Sequence, residues 1–129
     1  MSYQQEPRAD HPQRTRVIII EDEPLIAESL RTVLTEAGFE IAGVARRVEK
    51  AVKMIESVAC DVALLDANLG GVSASPAAAA LRARDLPFLV LSGYTREQLQ
   101  REFLGGTFIQ KPYRTAQLID GLNAILLKR

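Results

Sequence analysis

From Arg16 onward the chain alternates two hydrophobic periodicities. Short apolar runs at Val17–Ile20, Glu40–Val44, Val62–Leu65, Phe88–Leu91 and Thr107–Ile109 read as strands, and several are apolar without a break. Unbroken runs of that length suit strands covered on both faces. Helical stripes lie between them. Ile26, Leu30, Val33, Leu34 and Ala37 form the first, closed by Gly38 where a helix end favours glycine. Val48, Ala51, Val52, Ile55 and Val58 form the second. Ala77–Ala83 is a short third with Pro76 at its start, Arg96–Leu104 a weaker fourth ended by Gly105 and Gly106. Leu118, Ile119, Leu122, Ile125 and Leu126 make the fifth. Strands and helices alternating without an internal repeat predict an α/β domain, a doubly wound five-stranded parallel sheet with helices on both faces. Such sheets bind ligands beyond the carboxyl ends of their strands, so the polar residues there decide the function.

Composition narrows the choice. A chain of 129 residues with 47% hydrophobic side chains is the size of one domain with a real core. Sixteen basic residues balance sixteen acidic ones, which argues against a dedicated nucleic-acid binder. Residues 1–14 are polar, carry Pro7 and Pro12 and show no apolar periodicity, so a disordered tail is expected there, with the folded domain at 15–129. The only histidine, His11, falls in that tail, which removes Ser/His/Asp and Cys/His hydrolase schemes. Cys60, the lone cysteine, precedes an apolar run and reads as a buried thiol. No segment approaches a membrane span, and the N-terminus lacks the apolar middle of a signal peptide. The expected location is the cytoplasm.

The predicted strand ends carry a polar set. Glu21, Asp22 and Glu23 follow the first strand and Asp66 the third, within VALLDANLGG. Ser92, Gly93 and Tyr94 follow the fourth, and Lys111 the fifth, within FIQKPY. Each feature alone has an ordinary explanation. Acids at a helix start suit the macrodipole, Asp66 with Gly70 and Gly71 makes a turn, Ser-Gly is a common loop pair, and a lysine near a strand end is usually solvated. Together on consecutive strand ends they suggest more. Crowded carboxylates repel unless a cation compensates, and carboxylate, carbonyl and water oxygens are the ligands Mg²⁺ prefers. Metal, ammonium and hydroxyl then suit a phosphoryl group, and a carboxylate among them can accept it as an acyl phosphate.

On these residues the chain resembles the bacterial response-regulator receiver domain: an acidic pair after strand 1, a phosphoacceptor Asp after strand 3, Thr/Ser after strand 4 and Lys-Pro after strand 5. The likeness covers roughly residues 15–128. It implies the flavodoxin-like receiver fold with strand order 2-1-3-4-5, and Asp66 as phosphoacceptor. It implies Mg²⁺ held by Glu21, Asp22, Asp66 and the backbone carbonyl of Asn68, and a phosphoryl group bound by Ser92 and Lys111. The Lys111–Pro112 bond is typically cis in this family. Phe108 stands at the switch-aromatic position, with the alternative of an ordinary core aromatic, and Tyr94 and Tyr113 carry hydroxyls nearby.

The segment PFLVLSGYTREQLQREFLGGTFIQKPY looks more specifically like the FAT GUY subgroup of stand-alone receivers. Ser-Gly-Tyr stands where that subgroup has Thr-Gly-Tyr, and Leu89-Val90-Leu91 replaces most of the preceding signature. The resemblance implies a sensor histidine kinase or phosphotransfer protein as donor and a downstream protein as target, with no direct nucleic acid and no membrane. A monomer or a phosphorylation-dependent dimer is expected. Leu99, Phe103 and Leu104 are candidate target contacts, or core packing. No output module follows the last helix, which suits a single-domain receiver or one domain of a longer regulator. The rivals are an aspartyl-nucleophile phosphatase and a receiver-like interaction module that is never phosphorylated.

Overall fold

The structure is a computed structural model that describes residues 14–95, 98 and 101–128. Five strands form one parallel sheet: β1 (Arg16–Ile20), β2 (Glu40–Ala45), β3 (Val62–Asp66), β6 (Phe88–Ser92) and β7 (Thr107–Gln110). Their order is β2-β1-β3-β6-β7, which is 2-1-3-4-5 when the strands of this sheet alone are counted. Two further strands, β4 (Asn68–Leu69) and β5 (Val72–Ser73), pair antiparallel as a small hairpin beyond the end of β3. The helices are α1 (Pro24–Glu36), α2 (Val48–Ser57), α3 (Ser75–Ala83) and α4 (Thr115–Leu127).

Side chains on a strand alternate between faces, and both faces are filled. Ile18 and Ile20 of β1, Ala63 and Leu65 of β3, and Phe88 and Val90 of β6 pack with Ile55 and Leu81 from α2 and α3. Val17 and Ile19, Val62 and Leu64, and Leu89 and Leu91 pack on the other side with Leu30 and Leu34 of α1 and Leu118 and Leu122 of α4. This is why the strand sequences are apolar without alternation. The two halves differ in grain. The first gathers the buried Ala45, Ala51, Ala63, Ala67, Ala74, Ala77 and Ala78, whereas the second cluster is built from larger side chains.

Local sequence explains three of the helix ends. Pro24 and Pro76 occupy first-turn positions, where the missing N–H costs nothing. α1 stops at Gly38, whose φ of +97° is left-handed, with Phe39 N–H donating back to the Leu34 carbonyl. The first stripe is rotated from the expected one: Ala27 is buried and Ile26 is 42% exposed. Within α4, Gly121 sits where a Cβ would stand 2.8 Å from Leu89 Cδ1, so a residue that weakens a helix lets this one approach the sheet closely.

The expected fourth helix falls partly on residues outside those described. Its described end, Arg101–Gly105, is a 3-10 helix. Leu99 lies outside the described residues, as does the side chain of Leu104, while Phe103 is buried in the core. The expected tail and His11 lie outside the described residues too, apart from Arg14.

Candidate functional site

Parallel strands in this order bring the carboxyl ends of β1, β3, β6 and β7 to one rim. Glu21 follows β1, and its backbone N–H donates to Ala45 at the end of β2, which fixes the start of the β1–α1 loop. Glu21 and Asp66 are buried and Asp22 half-buried. One carboxylate oxygen from each lies within 4.8 Å of the others. Lys111 reaches across from the end of β7, and its Nζ donates to Asp66 Oδ2 at 2.8 Å. Ser92, the last residue of β6, is buried, and its carbonyl accepts the Lys111 backbone N–H at 2.7 Å. Lys111 and Asp66, 45 positions apart in sequence, thus meet at one site.

The ordinary explanations fare unequally. Asp66 Oδ1 does accept the Asn68 N–H at 3.0 Å, and Ser92 Oγ accepts the Tyr94 N–H at 2.9 Å, so both side chains shape their turns. Helix capping does not account for the acids after β1. Glu23 stands at the N-cap of α1 without a side-chain cap bond, and Glu21 Oε2 instead accepts the Glu23 N–H.

Electrostatics separates the three acids from an ordinary acidic surface. Burial, reinforced by the neighbouring Asp66 carboxylate, pushes Glu21 up to about 7, against the Glu23 N–H and Lys111. Its Oε1 is buried without a partner among the described residues. Burial would lower the Lys111 ammonium, but its hydrogen bond to Asp66 and the charges of Asp66 and Glu21 outweigh this and hold it above its usual range. Burial raises the Tyr113 hydroxyl, with Glu21 and Asp66 adding and Lys111 opposing. An orphaned carboxylate oxygen among three crowded carboxylates is a donor set that suits a small hard dication.

Beside the site stands the β4–β5 hairpin, whose strands are too short to leave a periodic pattern in the sequence. Gly70 and Gly71, at φ +61° and +87°, make its two-residue turn with both residues left-handed, as a type I′ turn requires. Asn68 Oδ1 accepts the Gly71 N–H at 2.8 Å. A Cβ on Gly70 would stand 3.4 Å from Asp22 Oδ2, so the turn borders the acids directly. Gly-Gly flanked by Leu69 and Val72 is the sequence signal that corresponds to it. Of the other expected residues, Phe108 is half-buried on β7, opposite Val90 of β6, and Tyr94 is 52% exposed. The Lys111–Pro112 bond is cis.

The sequence profile of the response regulator receiver domain matches residues 17–123, and the chain belongs to that family. Receivers of this kind serve two-component signalling. Among named relatives, the sensory transduction protein RegX3 of Mycolicibacterium smegmatis is 32% identical over 116 residues, covering 87% of this chain and 50% of RegX3. The transcriptional regulatory protein PdtaR of Mycobacterium tuberculosis is 29% identical, covering 89% of this chain and 58% of PdtaR. The chain thus spans about half the length of these relatives. The solution structure of SdrG from Sphingomonas melonis Fr1 is 35% identical with a TM-score of 0.73, covering 88% of this chain and 97% of SdrG. Thermotoga maritima TrrA, in complex with Mg²⁺ and BeF, is 25% identical with a TM-score of 0.77, covering 86% and 98%. Among the described residues no helix is long and apolar enough to cross a membrane.

Proposed function

We propose that this chain is the phosphoacceptor of a two-component phosphorelay, taking a phosphoryl group onto Asp66 from a sensor histidine kinase or phosphotransfer protein. The observation that carries this reading is the convergence of Lys111 on Asp66 at 2.8 Å beside two further carboxylates. Glu21, Asp22 and Asp66 would hold Mg²⁺ through carboxylate oxygens. Asn68 would add its backbone carbonyl, its side-chain oxygen being taken by the Gly71 N–H. Bound there, the dication would neutralise charge on the carboxylates and on an incoming phosphoryl group.

The Asp66 carboxylate attacks phosphorus. The P–N bond of the donor phosphohistidine breaks, its electron pair stays with the imidazole, and a new O–P bond gives an acyl phosphate. Lys111 then follows the added negative charge, and Ser92 turns its hydroxyl toward the phosphoryl group. The backbone bond between Lys111 and Ser92 couples their two loops, so the change biases the β6–β7 side of the fold, where Phe108 and Tyr94 act as switch residues and a downstream protein is recognised. Resident in the cytoplasm, the chain works as a FAT GUY-type receiver, without nucleic acid or membrane, as a monomer or a phosphorylation-dependent dimer.

The phosphatase reading needs an acid/base two residues after the nucleophile, and Asn68 is an amide. An inert interaction module would have no use for the orphaned Glu21 oxygen. The test is transfer from a radiolabelled histidine kinase with Mg²⁺. Asp66 should be labelled and Asp66→Asn should not. Label surviving that substitution rejects the assignment, and steady release of phosphate from simple phosphomonoesters favours the enzyme.

A further inference from the structure

Where β2 ends, at the edge of the sheet, a cavity of about 750 Å³ opens between the start of α2 and the β4–β5 hairpin. Its floor is apolar. Leu69 is buried, Met54 is half-buried, and Val72 on the hairpin is 58% exposed. Its rim is cationic. Arg46, Arg47 and Lys50 are all exposed, and none forms an ion pair among the described residues. The acids in the lining are Glu49 and Asp22, and Asp22 is shared with the cluster at Asp66. The balance at the mouth is positive, in a chain whose formal net charge is zero.

The two halves of this lining constrain the occupant. A small inorganic anion would use the rim and leave the floor wet, and an uncharged apolar peptide would do the reverse. The volume suits a seated side chain with its flanking backbone, and Met54 is an adaptable surface for one. Arginine forks pair with carboxylates in two-point geometry. A buried apolar anchor ringed by polar contacts is the usual build of a binding hot spot. We propose that this cavity docks an acidic segment of a partner protein, with a leucine- or phenylalanine-sized side chain against Met54, Leu69 and Val72 and flanking carboxylates on Arg46, Arg47 and Lys50. The site stands on its own, without the phosphoacceptor reading. Arg46 Nε also donates to the Asp22 carbonyl at 3.4 Å, so an occupant that draws Arg46 away is felt in the loop beside the acids.

The test uses the isotope-labelled full chain and a synthetic peptide with a central Leu-Phe pair flanked by runs of glutamate. Saturable amide shifts should appear at residues 46–50 and 69–72. Arg47→Glu with Lys50→Glu should weaken binding about tenfold or more, and Val72→Asp, at an exposed position, should weaken it without disturbing the fold. The same peptide with glutamine for glutamate should bind at least about tenfold more weakly. The proposal fails if millimolar peptide gives no saturable shift, if the shifts fall elsewhere, or if the charge reversals leave affinity unchanged. It also fails if the glutamine peptide binds equally, or if citrate reproduces the full pattern, which would leave a simple anion site.

Discussion

Lys111 and Asp66 are joined at 2.8 Å across the intervening strand β6, with the carboxylate almost wholly buried and the ammonium side chain 36% exposed. The lysine approaches from the wet side and gives the acid its one cationic hydrogen-bond partner among the described residues. Half-exposed ion pairs are normally worth little, but removing one member here strands the other in a crowded acidic pocket.

Lys111→Met should therefore destabilise the metal-free protein by about 1–2 kcal/mol, after allowing for the lysine's exposure. In Asp66→Asn the same lysine change should cost much less, because no charge is left unpaired. Urea unfolding of the four variants of this double-mutant cycle measures the difference. Equal costs in both backgrounds would mean that the pair contributes nothing to the fold.

Glu21 gives a pH dependence of definite sign. Its carboxyl titrates at about 7 when folded against 4.5 as its ordinary value. Between those limits the folded state holds a proton that the unfolded chain has released, so this group's contribution falls as pH rises through the window and is flat above it. The loss is on the order of 3 kcal/mol. Unfolding midpoints of wild type minus Glu21→Gln, followed in EDTA from pH 4.5 to 8, isolate the term. Mg²⁺ affinity should climb with pH below about 7, since metal binding must displace that proton.

Gly70→Ala places a Cβ 3.4 Å from Asp22 Oδ2 and forces a side chain into a left-handed turn at φ +61°. A loss of about 1 kcal/mol and weaker divalent-ion binding are expected. Gly93→Ala, where a Cβ meets nothing within 4 Å, is the control and should change neither. Thermal melts with and without Mg²⁺ read both effects.

Asp85 is the one non-glycine residue among those described with a left-handed φ, +57°, in the turn that ends α3. Leu86 N–H donates to the Leu81 carbonyl there, the closure normally built on glycine. Asp85→Gly should stabilise the protein by about 0.5–1 kcal/mol. An unchanged melting temperature would show that the aspartate already bears the turn without strain.

The sheet was legible because its strands are covered on both sides, which writes unbroken apolar runs into the sequence. The acids, Ser92 and Lys111 were legible because they sit where those runs stop. What escaped has physical causes. Strands as short as Asn68–Leu69 and Val72–Ser73 have no periodicity, and only the Gly-Gly pair between them marks the hairpin. Ala27 and Ile26 exchanged places because a small residue next to a large one barely biases a helical stripe. Gly121 looks like a flaw in α4 until the nearness of Leu89 is known. Arg46 meets Asp22 only through tertiary packing, and nothing in the spacing of the two residues announces it.

The alanines gathered under α2 and α3 make the domain's tolerance lopsided. Methyl groups leave little slack, so enlarging Ala63 or Ala77 costs about 1–3 kcal/mol in forced rotamers and backbone shifts, whereas trimming them opens almost no void. Under α1 and α4 the bulky Leu34, Leu64 and Leu122 invert that rule, being replaceable by shapes of like volume and ruinous to shorten. A library seeking variants of this receiver should diversify the second half and leave the alanines of the first alone.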